Sequence, residues 1–153
     1  MVPAVSACAQ KKKSTKTILV VDDDSENVRN YCEILIDLDY RVIARGDVDA
    51  ALSLIRNNTA VDLVITDYRM PGKSGLDFLV ELRQLRPSLP VIMITAHANI
   101  ETYLHSISLG AFEFVNKPIK KIELERIVQH ALSNDNNRTN PPGKYGYEQP
   151  SSH

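Results

Sequence analysis

The chain is poor in several features that would direct it elsewhere. It carries only two cysteines in 153 residues, Cys8 and Cys32, in unrelated contexts with no CxxC or other metal-ligand spacing. A disulfide framework is therefore not expected, and a reducing, cytoplasmic setting fits. No apolar run reaches the roughly 18 residues that a bilayer-spanning helix requires, so membrane insertion is not expected. Neither sign of charge is in excess: a formal net charge of -1 gives no ground for expecting nucleic acid or a membrane surface as partner. Internal repeats are absent too, and the length allows one good core and favours one domain over two.

The two ends lack periodicity. Val5-Ser6-Ala7-Cys8 matches the small-residue-then-cysteine pattern of a lipoprotein cleavage site, but the positive charge and long apolar stretch that should precede it are missing. Lys11, Lys12 and Lys13 follow it instead, so residues 1–16 are expected to form a disordered extension. Beyond Ser133 the chain turns to Asn134-Asp135-Asn136-Asn137-Arg138-Thr139-Asn140-Pro141-Pro142-Gly143. Such a composition buries too little apolar surface to offset its ordering entropy, and residues 134–153 are expected to be a disordered tail. No helix-turn-helix or enzymatic pattern begins there, although a fragment of a longer protein would look the same.

Between these ends, residues 17–133 alternate short β-branched runs with longer amphipathic stretches. This is the pattern of strand-helix units wound into a parallel sheet, so the fold class is α/β, doubly wound, with five strands and five helices. Strands are expected at about 17–22, 40–44, 61–66, 90–94 and 112–115, and their near-continuous apolarity implies helices on both faces. The first helix shows Val28, Tyr31, Leu35 and Leu38 on one face, capped by Asp24 or Ser25. The second, about 47–57, should bury Ala51, Leu54 and Ile55 behind an Asp47 cap. The third starts near Ser74 and places Phe78, Leu82 and Leu85 inward; the fourth carries Ile100, Leu104 and Ile107 and ends at Gly110. Leu124, Ile127, Val128 and Ala131 mark the fifth, with Pro118 or Ile119 in its first turn.

In an open parallel sheet, ligands gather beyond the carboxyl ends of the strands, near the point where strand order reverses. The strand ends here bring Asp22, Asp23 and Asp24, then Asp67, then Thr95, then Lys117. Carboxylates meeting at one edge repel: two unit charges 4 Å apart interact by about 4 kcal/mol at an effective dielectric of about 20. A hard dication such as Mg²⁺ relieves that repulsion and favours an all-oxygen donor set. A dication, an ammonium at Lys117 and a hydroxyl at Thr95 together complement a phosphoryl group in transfer, with Asp67 as the nucleophile. The product is an acyl phosphate on Asp67.

Four motifs in order carry a family resemblance: Val20-Val21-Asp22-Asp23-Asp24, Asp67-Tyr68-Arg69-Met70-Pro71-Gly72, Met93-Ile94-Thr95-Ala96 and Asn116-Lys117-Pro118. The chain resembles the receiver domain of two-component response regulators, the chemotaxis-regulator-like family, over about 17–133. The resemblance implies a flavodoxin-like strand order 2-1-3-4-5. It makes Asp67 the phosphoacceptor, Asp23 a direct Mg²⁺ ligand, Asp22 a neighbouring acid acting through water, and Arg69 the donor of a backbone carbonyl to the metal. Thr95 matches the switch hydroxyl, Lys117 its lysine partner and Phe114 the switch aromatic. Arg69 and His97 occupy two positions that tune the lifetime of the acyl phosphate, and Phe114 lacks the hydroxyl that a tyrosine would bring.

The implied function is that of a single-domain response regulator. A histidine kinase or histidine phosphotransfer protein donates the phosphoryl group, and a face made by the fourth helix, fifth strand and fifth helix changes its affinity for a protein target. A relay shuttle or phosphate sink without a target is the alternative. A metal-dependent phosphatase uses similar groups but needs a second acid two residues after the nucleophile, where Arg69 stands. The chain is thus expected not to be an enzyme beyond its own phosphorylation and dephosphorylation. Plainer readings hold elsewhere: Asp24 as a helix cap, Asp62 and Asp77 without function, His97 as a loop residue, and Tyr145 and Tyr147 as tail residues.

Overall fold

The computed structural model describes residues 15–133. Five β-branched runs become strands: β1 (Thr17–Val21), β2 (Arg41–Arg45), β3 (Leu63–Asp67), β4 (Val91–Thr95) and β5 (Glu113–Asn116). All pair in parallel, in the order β2-β1-β3-β4-β5. Five helices connect or follow them: α1 (Ser25–Asp37), α2 (Val48–Arg56), α3 (Gly75–Leu85), α4 (Ile100–Ser108) and α5 (Lys121–Ser133).

Successive side chains of a strand point to opposite faces, and this period divides the core in two. Ile18 and Val20, with Leu63, Ile65, Ile92, Ile94 and Val115, face α1 and α5. Leu19 and Val21, with Val64, Val91, Met93 and Phe114, face α2, α3 and α4. Each large apolar side chain so enclosed contributes on the order of 1.5–3 kcal/mol. Because both faces are covered, the strands need no polar alternation, and the site is left to their ends.

Local chemistry sets the helix ends. Asp24, Asp47 and Ser74 cap α1, α2 and α3, each side chain accepting from a first-turn N–H. Asp77 returns the bond to the Ser74 N–H at 2.9 Å and completes a capping box. Asp62 accepts from the Thr17 N–H at 2.8 Å and ties β1 to the approach of β3. Both acids thus have structural work that their sequence positions did not show. Gly110 follows α4 at a φ of 103°, a left-handed conformation that suits a glycine past a helix end.

Several expectations need correction. β2 to β5 run one or two residues later than their apolar runs suggest, because the ladder continues to the polar strand ends. In α2, Val48 and Leu52 are buried and Leu54 is only half-buried. Leu85, at the last turn of α3, is 39% exposed rather than inward. The face of α4 was misread: Ile100 is 66% and Leu104 44% exposed, and the helix packs through Tyr103, Ser106 and Ile107. α5 begins at Lys121, with the Leu124 N–H donating to the Lys120 carbonyl, so Pro118 and Ile119 belong to the preceding loop. No helix among the described residues is long and apolar enough to cross a membrane. The expectations for residues 1–14 and 134–153, including Cys8, Lys11 to Lys13, Tyr145 and Tyr147, lie outside the described residues.

Candidate functional site

Strand order reverses between β1 and β3: β1 leads away to β2 on one side, while β3, β4 and β5 follow on the other. The crevice at the carboxyl ends of these two strands is where such sheets bind ligands. The three consecutive acids after β1 divide into distinct roles there. Asp22 is 3% exposed, and its N–H continues the ladder to the Arg45 carbonyl at 3.2 Å. Its Oδ1 accepts from the Asp24 N–H at 3.0 Å, and its Oδ2 accepts from Asn27 Nδ2 and Lys117 Nζ, both at 3.3 Å. Asp23 projects into solvent, and Asp24 turns to cap α1 through the Glu26 N–H.

Asp67, the last residue of β3, holds the other side. Its Oδ1 accepts from the Tyr68 N–H at 2.7 Å and its Oδ2 from Lys117 Nζ at 3.2 Å. One oxygen each from Asp22, Asp23 and Asp67 lies within 4.8 Å of the others. Burial pushes the Asp22 carboxyl above the usual carboxylate range, and the charge on Asp67 adds to this; the Asp24 N–H and Lys117 pull in the opposite direction. The Tyr31 phenol on α1 is likewise pushed up, by burial first and then by the field of Asp22, Asp67 and Asp24.

Three carboxylates facing one ammonium leave a site that is negative on balance when all are ionised. Convergent hard oxygens with uncompensated charge suit a small dication, so Asp22, Asp23 and Asp67 fit Mg²⁺. Arg69 lies in the exposed loop two residues beyond Asp67. Such an ion, when bound, supplies a Lewis acid that neutralises charge on a phosphoryl oxygen.

The remaining predicted residues stand around this centre. Thr95 ends β4, is buried, and its Oγ1 accepts from the His97 N–H at 3.2 Å. Its carbonyl accepts from the Lys117 N–H at 2.7 Å, which fixes the lysine loop to the end of β4. His97 itself is an exposed loop residue. Phe114 is buried two residues before Asn116, opposite Met93 in register, and so lies on the same sheet face as Thr95.

Four contributors escaped the sequence reading. Asn27 reaches Asp22 from the first turn of α1, a placement that its position three residues after the cap would have revealed. Tyr68 touches Asp67 through its N–H, and its ring meets Phe114 with centroids 5.9 Å apart at 88°. Tyr103 meets Phe114 from α4 at 6.1 Å and 70°. Gly75 opens α3 against the backbone of the site: a Cβ there would lie 2.2 Å from the Asp67 carbonyl oxygen. The last three depend on contacts across the fold and leave no local signal.

Comparison with known proteins agrees with this fold. The family model for the response regulator receiver domain matches residues 18–129. The chain is 40% identical over 121 residues to the two-component response regulator ARR21 of Arabidopsis thaliana, covering 78% of this chain and 19% of that protein. The receiver domain of NtrX from Brucella abortus matches with a TM-score of 0.72 at 38% identity, over 76% of this chain and 98% of that one. A CheY-like receiver domain protein from Methanospirillum hungatei gives a TM-score of 0.76 at 29% identity, over 80% of this chain and 97% of that one. The chain spans between 19% and 30% of the length of the plant regulators it matches. With its four motifs gathered at one sheet edge and the family model spanning nearly the whole described region, the chain belongs to the response regulator receiver domain family.

Proposed function

We propose that Asp67 is the phosphoacceptor of this chain and that Mg²⁺, held by Asp22, Asp23, Asp67 and the Arg69 backbone carbonyl, is required for its phosphorylation. Receiver domains accept phosphate from histidine kinases, and they bind Mg²⁺ at an acidic pocket. The observation that carries the residue assignment is the reach of Lys117, whose Nζ stands 3.2 Å from Asp67 and 3.3 Å from Asp22. In the reaction an Asp67 carboxylate oxygen attacks phosphorus, the bond to the donor breaks, and the donor leaves with that electron pair. The donor is the imidazole of a kinase or phosphotransfer histidine, or acetate when acetyl phosphate serves. Lys117, released from one carboxylate partner, turns its charge to the transferred group, and the Thr95 hydroxyl, which accepts from the His97 N–H in the unmodified chain, exchanges that role for donating to a phosphoryl oxygen.

That exchange supplies the differential interaction a switch requires, since a modification shifts a conformational equilibrium only through contacts that differ between states. The responding face we propose is α4, β5 and α5, where Ile100, Leu104 and Ile122 stand exposed. The test uses the full chain with Mg²⁺ and acetyl phosphate, followed by mass mapping of the peptides. One phosphoryl group is expected, on Asp67, with none in Asp67→Asn. A phosphorylated Asp67→Asn protein overturns the assignment.

A further inference from the structure

Phe114 touches two tyrosines, and the three rings form a path from the site to α4. Tyr68 follows Asp67 directly and donates its N–H to Asp67 Oδ1 at 2.7 Å; its ring meets Phe114 edge-on at 5.9 Å. Phe114 in turn meets Tyr103 at 6.1 Å, and Tyr103 lies on α4. The path contains no atom of Thr95.

α4 is the helix with the lightest anchorage among the five. Its single fully buried side chain is Ser106, whose Oγ has no hydrogen-bond partner among the described residues. α2 and α5, by contrast, each bury four residues. Tyr103 and Ile107 are the apolar side chains of α4 that pack, partly buried, against the core on this face of the sheet. An element with few buried contacts opens at low cost, so a change at one of these rings moves the helix more than it would move its neighbours.

We infer that Tyr68 and Tyr103 are positioning residues for Phe114, and that the chain Tyr68–Phe114–Tyr103 carries the state of Asp67 to α4 by a second route that bypasses Thr95. The inference rests on the reading that Asp67 is phosphorylated. Phosphorylation of either Asp67 oxygen removes the anionic acceptor at Oδ1: that atom becomes either the bridging oxygen of the acyl phosphate or its neutral carbonyl oxygen. The Tyr68 N–H then loses a charge-assisted bond, and residue 68 readjusts with its ring. Side chains occupy discrete rotamer wells in a close-packed interior, so Phe114 answers by changing well rather than by drifting. Both ends of the path bias this one two-state ring, and that shared bias is what physical coupling demands.

The test uses the full chain labelled with fluorophenylalanine. Its three phenylalanines give three fluorine signals, and Phe114→Leu identifies the one that matters. Amide exchange over residues 100–108 reports on α4. With Mg²⁺ and acetyl phosphate, the Phe114 signal and the α4 exchange should both change. Tyr68→Leu should reduce the α4 response about two- to tenfold, the scale of one aromatic edge contact, and Tyr68→Phe should restore it. Tyr103→Leu should leave the Phe114 signal responsive while the α4 response falls. Unchanged α4 responses in both leucine variants, with Asp67 phosphorylated, overturn the ring path. A separate measurement needs no phosphorylation: Asp67→Ala removes the Oδ1 acceptor and should shift the Phe114 signal where residue 68 is aromatic, in wild-type and Thr95→Val backgrounds alike. A shift of equal size in Tyr68→Leu, or its loss in Thr95→Val, also overturns the path. Absence of phosphoryl on wild-type Asp67 refutes the proposed function alone and leaves this second measurement to judge the rings.

Discussion

At the scale of single residues, three identical side chains in a row do three different things. Asp22 is buried and accepts from Asp24, Asn27 and Lys117; Asp23 is exposed; Asp24 caps a helix. The buried one carries an energetic cost. A carboxyl raised above its unfolded value by burial binds its proton more tightly in the native state, so native stability is lost as pH rises through the folded value and is regained below the unfolded one. Metal-free Asp22→Asn should therefore melt higher than wild type at pH 7, by on the order of 4 °C for each kcal/mol relieved. The gap should narrow as pH falls toward the ordinary carboxylate range. A gap that widens on acidification contradicts the assignment of Asp22 as a strained acid. Cys32, half-buried on α1, offers a second check: burial pushes its thiol up. At pH 8 the thiolate is scarce, and alkylation mapped to the Cys32 peptide should run severalfold slower in the native chain than in urea. Equal rates would contradict it.

At the scale of elements, α3 is positioned by its first residue. The Gly75 N–H donates to the Tyr68 carbonyl at 2.9 Å, and a side chain at 75 would meet the Asp67 carbonyl oxygen, Met93 Sδ and Tyr68 Cα at 2.2, 3.0 and 3.0 Å. Backbone cannot yield as a flexible side chain can. Gly75→Ala should cost about 1–3 kcal/mol, the range for forced overpacking, and should slow phosphorylation by displacing the end of β3. Gly46→Ala is the matched control, since nothing lies within 4 Å of a Cβ there. Equal urea midpoints for the two variants would refute the close approach. The misread face of α4 belongs to this scale as well. Ile100 and Leu104 repeat at a helical spacing that ordinarily marks a core face, yet the helix turns them outward and buries Ser106. Periodicity reports that a face is apolar; it does not report what covers it.

At the scale of the molecule, the sheet gathers charges that lie far apart along the chain. Lys117 meets an acid 95 residues earlier and another 50 residues earlier. Folding thus concentrates repulsion at one edge, and a bound dication should return that energy as stability. Mg²⁺ at about a hundred times its dissociation constant should stabilise the chain by about 2.7 kcal/mol, read as a higher melting temperature than in chelator. Asp23→Asn, at an exposed position, should remove most of the gain without lowering metal-free stability. A full Mg²⁺ response in that variant would remove Asp23 from the ligand set.

The architecture was legible along the chain because its signals are local. β-branched runs, cap residues such as Asp24 and Asp47, and the stop at Gly110 each act within a few residues. The acids and Lys117 were legible as well, since strand ends of a parallel sheet share one edge whatever the details of packing. The tertiary structure alone decided which side of α4 faces the sheet, where the Tyr68 and Tyr103 rings meet Phe114, and why residue 75 must lack a side chain. These depend on distances between elements, and such distances are set by the packing of many side chains at once rather than by the spacing of any few.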